Sequence, residues 1–506
     1  MEPHRIPRVP TGIVGLDAIL EGGFLEGGVY ILRGAPGTGK TILANQTCFH
    51  AASQGEHCVY ITLLAEAHDR MMAHLSRLRF YRPELVGSNV YYLAAFKILD
   101  EDGLSGLLKV LRETLSSRPA RVIVLDGLVT AGEAAKTDRE LKRFIHDIQA
   151  MSTMMKTTVL LLSSGQVPAG YQPEHTIVDG IIELSDDLTD MRSLRHVQAR
   201  KMRGVDQIRG RHSLSISDDG ILVRPRIETI SRIGPPDPTS ATSPDSAVRK
   251  PFGIVELDRM LAGGLPERSV TMIVGPTGCG KTILGLQFVA AGGARNEPSL
   301  YFGFYERPPE LLAKSARIGL GLKDQVSRGI VHLVWQRPVE GVMDVLAERL
   351  LTLVHEHKVK RVCLDGLHSF GRTIDFPERL PDAIVAVQEE LQRAGVTSVY
   401  TLETSEAFGS HLELPIKDVS ATAHNIIVLR HVELSAQLYR LISILKMRDS
   451  RYDSRIYEFR IEEGGITVAD TFKTAAQILT GTAVSEAPLQ HRATTKRKKV
   501  AKKKNR

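Results

Sequence analysis

The same Gly-rich phosphate-loop pattern occurs twice in the chain, with the two loop lysines 241 positions apart. Gly34-Ala35-Pro36-Gly37-Thr38-Gly39-Lys40-Thr41 closes one apolar run, and Gly275-Pro276-Thr277-Gly278-Cys279-Gly280-Lys281-Thr282 closes another. Glycines at this spacing let the backbone turn its N–H groups inward around phosphate oxygens, while the following helix presents its N-terminus to the same charge. In such a loop the lysine (Lys40, Lys281) reaches the β- and γ-phosphates and the threonine hydroxyl (Thr41, Thr282) ligates Mg²⁺. ATP and Mg²⁺ are therefore the expected ligands of both copies.

The repeat extends well beyond the loops. Residues 12–23 and 253–264 both read Gly-Ile-Val-x-Leu-Asp-x-x-Leu-x-Gly-Gly. Arg121-Val-Ile-Val-Leu-Asp126-Gly-Leu is echoed by Arg361-Val-Cys-Leu-Asp365-Gly-Leu, and Lys201-Met202-Arg203 by Lys446-Met447-Arg448. Four features in one order at nearly constant offset mean a duplicated domain, since a solenoid would repeat every 20–50 residues. In the first copy the apolar runs 29–32, 58–63, 122–125 and 158–162 read as strands, and 104–115 and 138–151 carry helical spacing. Alternating strand and helix predicts an α/β fold: two tandem P-loop domains, each a mostly parallel sheet flanked by helices.

The predicted boundaries are 1–232 for the first ATPase domain, 233–248 for a linker, 249–475 for the second domain, and 476–506 for a disordered basic tail. The linker rests on residues 234–246, which hold four prolines among small polar residues. The tail explains the charge: residues 496–506 contain eight Lys or Arg, and removing them takes the formal net charge from +7 to −1. No stretch approaches the roughly 18 apolar residues of a membrane span, and the N-terminus lacks an apolar run, so a cytoplasmic protein with no membrane partner is expected. Four cysteines without C-x-x-C spacing (Cys48, Cys58, Cys279, Cys363) suggest neither a zinc site nor a disulfide framework.

Asp126 and Asp365 each end an apolar strand, where a carboxylate would sit beside the phosphate loop and hold the Mg²⁺ shell; helix capping is the plainer alternative. Hydrolysis also needs a carboxylate to orient or deprotonate water. Glu306 lies 25 residues after its lysine and Glu66 lies 26 after its own. A one-residue shift turns a strand side chain to the other face unless a bulge corrects it, so the two candidates are not equivalent. A surface acid opening a helix is the competing reading for each. Lys201, Arg203, Lys446 and Arg448 fall late in their domains and are candidates for cations supplied to a neighbour's γ-phosphate, or else a solvated strand edge.

Together these motifs resemble the KaiC family within the RecA-like ATPases, over nearly all of residues 8–470. The resemblance implies double-ring homo-hexamers with ATP between subunits, and gives Lys201, Arg203, Lys446 and Arg448 their role in trans. It also implies paired adjacent glutamates as base and an adjacent Ser-Thr phosphoacceptor pair in the second domain. The chain departs on both counts. Tyr305-Glu306 keeps one glutamate, Leu64-Ala65 replaces the first domain's pair, and the acceptor pair falls on Ser420-Ala421. The implied function is a Mg·ATP-dependent ring ATPase with serine/threonine autokinase activity at Ser420, acting as a regulatory switch. Two alternatives stand beside it: a DNA-associated motor, whose basic tail would contact nucleic acid or acidic proteins, and a nucleotide-gated scaffold with little turnover.

Overall fold

The computed structural model describes residues 6–64, 68–164, 177–189, 191–232, 245–337, 342–404, 422–434, 437–448, 450–463 and 465–469. Residues 476–506, Glu66 and Ser420 lie outside them.

The first half contains strands β1 (Arg8–Val9), β2 (Phe24–Leu25), β3 (Val29–Arg33), β4 (Cys58–Thr62), β5 (Val90–Ala94), β6 (Val122–Asp126), β7 (Thr158–Ser163), β8 (Gly180–Thr189), β9 (Arg192–Met202), β10 (His212–Ser217) and β11 (Gly220–Arg224). The second half repeats them as β12 (Asp245–Lys250), β13 (Leu265–Glu267), β14 (Val270–Gly275), β15 (Ser299–Gly303), β16 (Val331–Trp335), β17 (Arg361–Asp365), β18 (Thr397–Glu403), β19 (Asn425–Leu434), β20 (Gln437–Met447), β21 (Tyr457–Glu462) and β22 (Gly465–Ala469). Each half builds one nine-stranded sheet. Their orders, β5-β4-β6-β7-β3-β8-β9-β10-β11 and β16-β15-β17-β18-β14-β19-β20-β21-β22, are the same topology. The phosphate-loop strand (β3, β14) is central, its neighbours on both sides are parallel, and the last three pairings are antiparallel.

The core strands are apolar on both faces because both faces are covered. Tyr30, Leu32, Tyr60, Val122 and Val124 pack on one side, and Val29, Ile31, Val59, Ile61, Ile123 and Leu125 on the other. The first face meets the helix Lys40–Ser53 and the second the helices Phe96–Ser117 and Asp138–Met155. The latter two helices contain the predicted spans 104–115 and 138–151.

The shared Leu-Asp motif has a structural job. Asp17 accepts hydrogen bonds from the Thr11 and Gly12 amides at 2.8 and 3.2 Å and from Thr11 Oγ1 at 2.8 Å. Asp258 accepts from the Phe252 and Gly253 amides at 2.7 and 2.9 Å. Each carboxylate thus ties down the chain just before its own short helix.

Two details depart from the sequence-based boundaries. Strand β12 starts at Asp245, inside the span expected to be linker, because this segment pairs antiparallel with β13. Conversely, the 3₁₀ helix Ile227–Arg232, contiguous with the first domain, docks on the second. Ile227 is buried in the second domain's core, and its amide donates to Asp344 Oδ1 at 3.0 Å. Arg379 then binds Glu228 through two hydrogen bonds of 2.8 Å and Asp344 at 3.0 Å. No helix among the described residues is long and apolar enough to cross a membrane.

Candidate functional site

In each domain the phosphate loop joins the C-terminal end of the central parallel strand to a helix beginning at its lysine, Lys40–Ser53 or Lys281–Gly293. The residue before each lysine must be glycine. Gly39 and Gly280 have φ of 104° and 106°, and a Cβ would come within 2.9 Å of Ile216 and 2.8 Å of Phe459. Lys40 Nζ donates to the Gly34 and Ala35 carbonyls at 2.8 and 2.9 Å, and Lys281 Nζ to those of Gly275 and Pro276 at 2.8 and 2.7 Å. Both ammonium groups are thereby held within the curl of the loop. Pro36, Gly37 and Thr38, like Thr277, Gly278 and Cys279, form the turn itself. The Cys279 thiol is buried, which pushes its pKa up against the pull of the Lys281 charge, so it stays protonated and unreactive.

Asp126 and Asp365 are the last residues of β6 and β17, two strands from the phosphate-loop strand. In the second domain Thr282 Oγ1 donates to Asp365 Oδ2 at 2.8 Å, and Thr401 Oγ1 donates to Oδ1 at 2.5 Å. A hydroxyl and a carboxylate side by side, both hard oxygen donors, are a fitting donor set for Mg²⁺. Burial raises the Asp126 carboxyl above its ordinary value, opposed by a hydrogen bond from Tyr60 and by the Lys40 charge. Burial likewise lowers the Lys40 ammonium, opposed by Asp126.

A pair of tyrosines escaped the sequence reading. Tyr60 donates to Asp126 Oδ2 at 2.5 Å, and Tyr301 donates to Asp365 Oδ2. Burial and the adjacent carboxylate push both phenols well above their ordinary value, so both remain donors. The signal was present, since the two tyrosines are also 241 apart.

The second domain surrounds a cavity of about 530 Å³ whose lining includes Thr277, Lys281, Thr282, Asp365, Tyr305, Glu306, Lys314 and Arg440. This is the size range of small-molecule and cofactor sites. Glu306 follows β15 by three residues and pairs with Lys314 at 2.6 Å. Tyr305, at the position where the resemblance expects a second glutamate, accepts a hydrogen bond from Ser369 Oγ at 2.7 Å. The cavity thus brings seven sequence-predicted residues together: Thr277, Gly278, Gly280, Lys281, Thr282, Asp365 and Glu306.

The Lys-x-Arg segments lie elsewhere. Lys446 pairs with Ile426 near the start of β19, and the Arg448 amide bonds the His424 carbonyl. These positions align with the beginning of β14, whereas the phosphate loop follows its end. In the first domain Lys201 Nζ donates to the Val178 carbonyl at 2.7 Å and Arg203 Nη1 to that of Ile177 at 3.2 Å, again at the beginning of the parallel strands. Burial lowers both lysines, and the neighbouring arginine acts in the same direction.

A phosphate loop on a central parallel strand, a carboxylate ending a nearby strand, and the same nine-strand order twice over define a tandem RecA-like P-loop ATPase. The family model for the KaiC ATPase matches residues 9–228 and 250–472. The chain belongs to the KaiC family. It is similar to the circadian clock oscillator proteins KaiC of Picosynechococcus and of Rippkaea orientalis, each 24% identical over 94% of this chain and 92% and 91% of theirs. It is 23% identical to KaiC of Synechococcus elongatus, over 95% of this chain and 92% of that one.

Proposed function

We propose that this protein is a Mg²⁺-dependent ATPase that assembles as a homo-hexameric double ring in the cytoplasm, binds ATP at both domains between neighbouring subunits, and works as a regulatory switch. The observation that carries this reading is the second-domain cavity, where Lys281, Thr282, Asp365 and Glu306 converge. Loop amides and Lys281 bind the triphosphate, and Thr282 with Asp365 would hold the ion, as Thr41 with Asp126 would in the first domain. Mg²⁺, when bound, supplies charge neutralisation of the β- and γ-phosphates. Glu306 accepts a proton from water as its oxygen bonds to the γ-phosphorus. The bond to the β-phosphate oxygen breaks, and ADP leaves with the electron pair.

The position of Lys446 and Arg448 at the far end of the strands from their own loop supports their use against the neighbour's nucleotide, and Lys201 with Arg203 are read the same way. Glu66 is the corresponding base in the first domain, one residue late relative to Glu306. Slower hydrolysis is therefore expected there. Ser420 is the phosphoacceptor of an autokinase activity in the second domain.

ATP turnover by Lys40→Ala and Lys281→Ala, measured separately, tests the assignment. The second substitution is expected to remove the larger share of hydrolysis; equal wild-type rates in both would overturn the reading. Incubation with γ-labelled ATP and phosphosite mapping tests the kinase part, and hydrolysis without label on Ser420 or its neighbours would sink it.

A further inference from the structure

Glu306 does not line its cavity alone. Lys314 lines it too, with Nζ 2.6 Å from Glu306 Oε1, and each side chain keeps 27% of its surface exposed. The lysine is held from a stiff element. It sits in the last turns of the helix Pro308–Arg317, whose first turn is fixed by two prolines and by the Arg307 amide donating to Glu310 Oε2 at 3.0 Å. Glu306, by contrast, lies in the connection between β15 and that helix, outside any strand ladder. A carboxylate there has many rotamers available, and an ammonium fixed on the adjoining helix selects one of them. Ion pairs on an open surface gain little because both side chains stay mobile and screened. This pair is three-quarters covered and faces the phosphate loop. The first domain carries no lysine at the corresponding positions: 241 before Lys314 stands Ala73, and eight beyond Glu66 stands His74.

We propose that Lys314 is a positioning residue for ATP hydrolysis in the second domain: its ammonium fixes the Glu306 carboxylate over the cavity, in line to take the proton of the attacking water. It acts through Glu306 and not on the nucleotide. The inference rests on the reading of Glu306 as the base, and it gives the two domains different turnover for a physical reason that lies outside the phosphate loops. Misplacing a base by about 1 Å lowers a rate on the order of tenfold to a hundredfold without weakening substrate binding.

The test uses the full-length chain carrying Lys40→Ala, so that hydrolysis reports the second domain. Lys314→Met, Lys314→Arg and Glu306→Gln are added singly. For each variant, kcat and KM for ATP and the affinity for a fluorescent ATP analogue are measured. Lys314→Met is expected to lower kcat at least about tenfold with KM and analogue affinity within about twofold, Lys314→Arg to restore most of kcat, and Glu306→Gln to lower it at least about a hundredfold. Parental kcat in Lys314→Met alongside a collapse in Glu306→Gln would overturn the role of Lys314 and leave Glu306 as base. Parental kcat in Glu306→Gln, or no turnover in the Lys40→Ala parent, would overturn both. Weakened analogue binding in Lys314→Met that arginine does not repair would show a structural or phosphate-binding role and overturn the positioning one.

Discussion

Tyr301 donates its phenolic hydrogen to Asp365 Oδ2, and Tyr60 does the same to Asp126 at 2.5 Å. Each hydrogen bond crosses from the strand after the phosphate-loop helix to its parallel neighbour, at strand ends where Thr62 stands in register with Asp126 and Gly303 with Asp365. The tyrosines fix the carboxylates that end β6 and β17, and the two domains differ in what else helps. Asp365 also accepts from Thr282 and Thr401, whereas the residue of β7 beside Asp126 is Leu162.

Tyr60→Phe should therefore cost more than Tyr301→Phe. A hydrogen bond to a charged group contributes about 1.5–3 kcal/mol, and Asp126 has fewer substitutes for the lost donor. Urea unfolding of the two variants, with Mg²⁺ titration of ATP turnover, checks this. The expected result is a larger drop in midpoint for Tyr60→Phe and a raised Mg²⁺ requirement in both. Equal midpoints would show that the threonines contribute nothing.

Asp17→Ala and Asp258→Ala should each destabilise the chain by about 1–3 kcal/mol, because the amides of residues 11–12 or 252–253 lose their acceptor. Neither carboxylate lines the second-domain cavity. Nucleotide-analogue affinity should stay at the wild-type value in the folded variants. A loss of affinity without loss of stability would contradict a purely structural role for the shared Leu-Asp motif.

The Glu228–Arg379–Asp344 cluster between the domains predicts a particular acid response. Burial works against ionisation of Glu228, but the hydrogen bond from Arg379, one from its own backbone amide and the charges of Arg379 and Arg226 together outweigh it and hold the carboxyl below its ordinary value. Its stabilisation is thus complete above the ordinary glutamate range and is lost as pH falls through the lower folded value. Asp344 has the opposite sign. Burial pushes it up despite Arg379, so its ionised form costs stability, and that cost fades as pH falls from the raised value through the ordinary one. Glu228→Gln should flatten the fall in melting temperature between about pH 6 and about pH 3, and Asp344→Asn should steepen it. Thermal melts across that range provide the measurement.

What could be read from the sequence followed from locality. A phosphate loop needs glycine and lysine at fixed short spacing, so two of them declare themselves, and alternating apolar runs and helical patterns yield the parallel sheet. The tyrosine–aspartate pairs join residues 66 and 64 apart, and only the strand order brings them together. Ile227 looks like one more apolar residue at a domain end, yet it is a core residue of the second domain. Lys314 reads as an ordinary charge on a helix until the fold sets it beside Glu306. The Leu-Asp motif was visible as a repeat, but its purpose depends on a carboxylate reaching back five or six residues.

The sharpest prediction concerns the cations at the far end of each sheet. If Arg448 serves the neighbour's nucleotide, a subunit carrying Arg448→Ala has a sound phosphate loop but offers no cation, and one carrying Lys281→Ala has the reverse defect. Each variant alone should lose second-domain turnover, Arg448→Ala by about 10³-fold and with nucleotide binding retained. Mixed in equal amounts and reassembled, they should regain activity, because about one interface in four pairs an intact loop with an intact arginine. The readout is phosphate release from the mixture against the mean of the two pure variants, with Lys40→Ala in both to silence the first domain. Recovery well above that mean requires Arg448 to act across an interface. A mixture no faster than its parts would place its function within its own subunit, where the path from the start of β14 to the phosphate loop is the full length of the strand.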